Sequence, residues 1–299
     1  MTENTHNPVI QISILGRIFG NVNADEVIGQ RITLKSMYSS DGETHPFVSP
    51  RAVKYCIRQA FRERGYEVDN FELAGDRLID SGDPVKYVDN DLFGFMKAPR
   101  GTREIAQRRQ APIAISYFKA LRDTPVRSEL GLRAPRDKGN PLPFEIEVAE
   151  FIGRINCLIY DYIGVYTGTE GKVKQGEPFI ENEERRKRLR AFLEIFMTPT
   201  YVLPRRTNSL NVPEYIVGLV VLSKTGPLPV YQYLDYVIEG NVPIVDLSKI
   251  KLLESREDLR HARKVLVDYE NAVPEECPLE VKSLNEIIPE MVDFLLPEV

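Results

Sequence analysis

The sequence predicts an α+β fold elaborated from a ferredoxin-like core. Three observations carry that prediction: a strand-like opening segment, an amphipathic helix behind it, and a strand–helix–strand succession in the second half. Between the halves lies a long stretch without periodicity, which reads as an insertion.

In "PVIQISILGRIFGN" (8–21), Ile10, Ile12 and Ile14 alternate with polar residues, the period of a strand. A second extended piece is expected near "QRITLKSMY". A helix over 50–64 follows from "VSPRAVKYCIRQAFRERG": Ser49 suits the N-cap, Pro50 the first helical position and Gly65 the end. At 100° per residue, Val53, Cys56, Ile57, Ala60 and Phe61 fall on one side of it. Arg51, Lys54, Arg58 and Arg62 form a stripe on the other. Such a stripe is either a solvated face or a surface that meets an anion such as phosphate.

Residues 66–142 are rich in Pro, Gly and charge, with "APIAISYFKAL" (111–121) expected as a strand inside them. "PFEIEVAEFIGRINCLIYDYIGVYTG" (143–168) returns to strand composition, and "GTEGKVKQGE" reads as a hairpin tip. In "ENEERRKRLRAFLEIF" (181–196), Leu189, Phe192, Leu193 and Phe196 follow helical spacing, and the acids crowd the first turn, where the helix dipole favours them. A proline-bounded excursion, "TPTYVLPRRTNSLNVP", precedes the central strand "EYIVGLVVLSK". Residues 225–299, including "SREDLRHARKVLVDYENA", are expected to be helical and acidic. The order fits one domain of 299 residues, with an RNA-recognition-type core at about 8–64 and 143–224. Such a core buries helices on one face of the sheet and leaves the other face available.

Composition narrows the function. Hydrophobic residues make up 42% and charged residues 28%, the range of a soluble globular protein. The longest apolar run, "YIVGLVVL", is far short of a membrane span, and the polar N-terminus does not resemble a signal peptide, so a cytoplasmic location without membrane association is expected. The three cysteines and three histidines are scattered, which suggests neither a disulfide framework nor a metal site, and no cofactor is expected. The net charge of −5 hides an asymmetry. Residues 97–138 hold eleven bases against four acids, a balance of +7; residues 225–299 hold seven against fifteen, a balance of −8. Opposite regions on one chain suit an oriented partner, or simply an uneven solvated surface.

One stretch, "YVDNDLFGFM" (87–96), poses a choice. Asp89 and Asp91 are close enough in sequence for a metal site, whereas the apolar residues around Gly94 suit a shaped wedge. The string resembles the D-x-x-L-F-G-x-M pattern of the backbone subunits of type I CRISPR surveillance complexes (Cascade). "VSPRAVKYCIR" is similar to that family's Ser-Ser-Gln-x-x-Lys-Arg helix start. "RRQAPIAISYFKAL" and the chain length look most like the DevR-type autoregulator branch, typical of type I-B systems.

The resemblance implies a hand: an RNA-recognition-type palm, inserted fingers (66–142) and a thumb hairpin (about 198–213). It implies subunits that polymerise head to tail along a guide crRNA, present it to target DNA, contact other Cascade subunits, and have no catalytic residues. Ser49, Lys54 and Arg58 align with phosphate-contacting positions. Arg51 stands where Gln is common, which puts its own contact in doubt. Met96 aligns with a Met that wedges against displaced bases, and Arg205 and Arg206 fall where a thumb belongs. Arg17, Asn21, Asn23 and Lys35 are further candidate RNA contacts. Asp89 would brace the loop by bonding local amides, Leu92 and Phe93 would anchor it, and Gly94 would permit its turn. Two other readings stay open: a metal-dependent ribonuclease of the type III backbone kind, using Asp89, Asp91 or Asp41, and a transcriptional autoregulator.

Overall fold

In the computed structural model, the Val9–Gly20 strand organises the chain. Residues 7–22, 24–74, 77–97, 106–134, 139–203 and 210–298 are described. On one side Val9–Gly20 pairs antiparallel with Leu142–Tyr160, Ile14 opposite Ile155. On the other it pairs antiparallel with Glu214–Ser223, Ile14 opposite Gly218. Ile113–Ile115 and Phe118–Ala120 line the far side of Leu142–Tyr160. The helices are α1 (Pro50–Glu63), α2 (Val88–Phe93), α3 (Asn182–Met197), α4 (Leu247–Ser255) and α5 (Leu284–Leu295). With α1 and α3 as crossovers, the strand order is the predicted ferredoxin-like one.

One strand is placed differently from expectation. The 111–121 segment belongs to the central sheet rather than to the insertion. It is broken at Ser116, whose Oγ accepts from Asn156 N at 2.8 Å. Each half is only three residues long, too short to display strand alternation in sequence.

Helix α1 forms as its caps predict: Ser49 Oγ accepts from Ala52 N at 3.3 Å, and the chain leaves through Gly65 at φ 81°. Its apolar side, led by Ile57 and Phe61, packs with Phe192 and Phe196 of α3, Met291 of α5, and Ile10, Ile12 and Ile14 of the sheet.

The opposite face of the sheet is not left open, contrary to expectation. Leu15, Val217, Leu219 and Val221 are buried with Val230, Leu234, Ile250 and Leu253 of the C-terminal region. Gln11 pins that cover: its Nε2 donates to Leu228 O at 2.8 Å and its Oε1 accepts from Leu228 N at 2.6 Å. Nor is this region chiefly helical. Arg263–Asp268, within a segment expected as helix, pairs antiparallel with Glu214–Ser223. Val265 and Val267 pack on the helix side while Leu266 packs under the cover, so a strand buried on both faces overrides the helical look of its charged flank.

The insertion is fastened to the core by buried ions. Asp91 is fully buried. Its Oδ1 accepts from Arg109 Nη2 at 2.7 Å and Gly164 N at 3.0 Å, and its Oδ2 accepts from Arg188 Nη1 at 3.0 Å. Arg109 also donates to Glu170 Oε1 at 2.9 Å and to the carbonyls of Val165 and Tyr162. Arg188, on α3, donates to the carbonyls of Pro84 and Val85 at 2.8 and 2.7 Å. One carboxylate thus joins α2, α3, the Gln107–Arg109 strand and the turn after Tyr160.

Removing Asp91 leaves two buried guanidinium groups short of the carboxylate they share. Asp91→Ala is expected to lower unfolding free energy in urea by roughly 3–5 kcal/mol. A loss under about 0.5 kcal/mol would show that the insertion is fastened elsewhere.

Candidate nucleic-acid interface

The 87–96 stretch is a short helix and a turn, not an open loop. Helix α2 covers Val88–Phe93, Gly94 turns the chain at φ 70°, and Phe95–Lys97 pairs with Gln107–Arg109. A Cβ at Gly94 would collide with Arg109 O and come within 2.9 Å of Ala111 N, so the backbone passes where only glycine fits. Leu92 and Phe93 are buried, as expected of anchors. Met96, opposite Arg108 in the hairpin, is 71% exposed. Its amide donates to Asp80 Oδ2 at 3.0 Å.

Asp89 does more than brace local amides, and here the expectation needs correcting. Its Oδ1 accepts from the distant amide of Asp69 at 2.9 Å, and its Oδ2 accepts from Arg58 Nε at 2.8 Å. Asp69, itself buried, accepts from Phe71 N, Ser81 N and Asn90 Nδ2. The two neighbouring acids therefore do different work: Asp91 ties the insertion to the core, and Asp89 ties it to α1.

The cationic stripe on α1 splits in two. Arg58 is held by Asp89, and Arg62 donates to Asp69 O at 3.2 Å and Asn70 Oδ1 at 3.1 Å. Part of the anion the stripe called for is thus supplied by the chain itself. Arg51 is exposed, and among the described residues no carboxylate pairs with Arg51 or Lys54. Lys54 Nζ lies 5.2 Å from the centroid of Phe93, and Arg58 Cζ lies 5.4 Å from it. Burial, and then the charge of Arg58, push the Lys54 ammonium below its ordinary pKa range.

The remaining candidates scatter. Ser49 caps α1. Arg17 makes a two-bond pair with Glu270 at 2.9 and 2.8 Å, with Glu214 3.7 Å away, and the Glu270 bond raises its pKa. Asn21 is buried; its Nδ2 donates to Glu147 O at 2.7 Å, while its Oδ1 has no partner among the described residues. The half-buried Lys35 sits between Arg31–Leu34 and Ser36–Tyr38, its carbonyl accepting from Phe47 N. Asp41 is exposed and bonded to Ser39 and to Glu43 N. Asn23, Arg205 and Arg206 lie outside the described residues.

The structure therefore brings together Ser49, Arg51, Lys54 and Arg58 on one helix, with Phe93 beneath Lys54 and Arg58 and Met96 three residues further along. The arrangement offers positive charge held over Phe93 and, three residues along the same chain, an exposed thioether, which suits a polyanion carrying stackable groups.

No curated protein matches the sequence. The fold is similar to a chain of a solved structure described as a CRISPR RNA-guided surveillance complex, with a TM-score of 0.61 and 13% identity over 95% of this chain and 98% of that one. A chain of such a complex described as pre-nicking is similar with a TM-score of 0.61 and 12% identity over 95% and 99%. The model of the CRISPR-associated negative auto-regulator DevR/Csa2 family matches residues 21–239, a span that holds α1, the Asp89–Met96 stretch and α3. The chain belongs to the DevR/Csa2 family of CRISPR-associated proteins.

Proposed function

We propose that this chain is a guide-RNA-binding backbone subunit of a type I CRISPR surveillance complex, polymerised along its guide crRNA and presenting it to target DNA, without catalysis of its own. The observation that carries the reading is the pair Arg51 and Lys54, cations without an acid among the described residues, with Lys54 over Phe93 and Met96 exposed three residues further along that chain. Phosphates supply the missing anion, and Met96 supplies a soft surface against which any base can lie. The family match and the fold likeness support the same reading. The charge asymmetry supports head-to-tail contact between copies, basic insertion to acidic C-terminal region. The ribonuclease reading is disfavoured because Asp89 and Asp91 are both engaged by guanidinium groups.

Three outcomes are expected. Arg51→Ala combined with Lys54→Ala weakens binding to all single-stranded RNAs alike and lowers the salt slope by about 0.7 for each phosphate no longer neutralised. Weakening confined to one RNA sequence would contradict backbone recognition. Light scattering with guide-length RNA shows particles that grow with RNA length, whereas a one-to-one complex at every length would contradict polymerisation. Met96→Ala leaves the fold intact but lets a fluorescent base analogue at the displaced position restack, at a cost of roughly 1 kcal/mol, the low end for a stacking interaction. Cleavage of RNA with magnesium or manganese, abolished by Asp89→Ala in a folded protein, would restore the nuclease reading.

A further inference from the structure

The exposed ridge of α1 carries a row that starts from Arg51 of the phosphate stripe and continues into residues that the stripe does not use. Arg51, Tyr55, Gln59 and Glu63 follow one another at intervals of four, so they form a continuous row along the helix. Tyr55 is 57% exposed, in a helix whose other large apolar side chains are buried. Its ring borders a groove of about 450 Å³ between α1 and residues 200–203, where the chain leaves α3 toward the excursion.

The two walls suit a flat aromatic guest. Tyr55 and Ala60 stand on one side, and Val202, 43% exposed, on the other. The second wall is held rigidly. Tyr201 is buried and its hydroxyl is 2.6 Å from that of Tyr215, which donates to Phe196 O at 2.9 Å and so accepts from Tyr201. The polar fittings are the side chains of Gln59 and Glu63, neither of which has a hydrogen-bond partner among the described residues, and Thr200, whose hydroxyl accepts from Arg64. Among the described residues that line the groove, the one charge is the carboxylate of Glu63. A phosphate is repelled there, whereas a neutral ring with donors and acceptors on its edge is not.

The geometry points to a nucleobase pocket on α1, with Tyr55 as its stacking platform, an inference that rests on the RNA-binding reading above. Residues four apart on a helix have Cβ atoms about 5–6 Å apart, roughly the distance from a nucleotide's phosphate to its base. Arg51 is thus placed to hold the phosphate of the same nucleotide whose base lies on Tyr55. Gln59 can present either its amide NH₂ or its carbonyl to the base edge, so the pocket tolerates different bases.

The test separates stacking from charge. Short single-stranded RNA is titrated against wild type, Tyr55→Phe and Tyr55→Ala, together with the same RNA made abasic at each position in turn. Tyr55→Ala is expected to weaken binding roughly 5- to 100-fold, the range of one stacked base, with an unchanged salt slope; Tyr55→Phe is expected to bind like wild type. One abasic position should lower wild-type affinity by the same factor and leave Tyr55→Ala unaffected. Binding that is indifferent to Tyr55→Ala overturns the pocket alone. So does a Tyr55→Ala effect that adds in full to every abasic effect. Failure of wild type to bind RNA at all overturns the reading beneath it as well.

Discussion

A single fully buried carboxylate, Asp91, sets the terms for the rest of this structure. A buried charge must be neutralised at close range, and here two guanidinium groups from opposite directions, Arg109 and Arg188, do so at 2.7 and 3.0 Å. Each arginine also donates to two backbone carbonyls and to a second carboxylate, so the charge fixes two further stretches of main chain, 84–85 and 162–165. Once α2 is locked in this way, the position of Phe93 follows, and with it the floor beneath Lys54 and Arg58. Gly94 follows too, because the backbone of residues 109–111 runs against it. The candidate interface is therefore a consequence of an interior charge rather than a set of surface residues placed independently.

The same geometry explains why two acids separated by one residue do not form a catalytic pair. On a helix, positions two apart point in different directions. Asp91 faces the core and the third helix, while Asp89 faces the first helix and accepts from Arg58. Proximity in sequence suggests a shared site; helical geometry sends the two carboxylates to separate partners.

Much of this is legible in the chain, and the exceptions have physical causes. Ser49, Pro50 and Gly65 mark α1 because capping is local chemistry, and the apolar spacing in 181–196 marks α3 because a helix repeats within a few residues. The split strand at 113–120 reads as part of the insertion because neither half is long enough to show a period. The strand Arg263–Asp268 reads as helix because its burial on both faces exists only once the C-terminal cover is in place. At the site, the α1 stripe can be found by angle alone. Its division cannot, because Arg58 meets Asp89 across 31 positions and nothing local announces the pair. Arg188 is hidden among the other bases of α3, which look uniformly solvated in sequence.

The C-terminal cover over the sheet alters what the strands are free to do. In an uncovered four-stranded domain, alternate residues of each strand answer to different demands, one set to the interior and the other to the ligand. Here Ile12 and Leu15, on opposite faces, are both fully buried, so both sets answer only to packing. In the proposed function, recognition falls to a helix, a hairpin and the loops between them. Such a molecule separates its skeleton from its vocabulary: the surface proposed to meet the RNA can drift without repacking the sheet, and a lesion in the sheet registers as lower abundance before it registers as altered recognition.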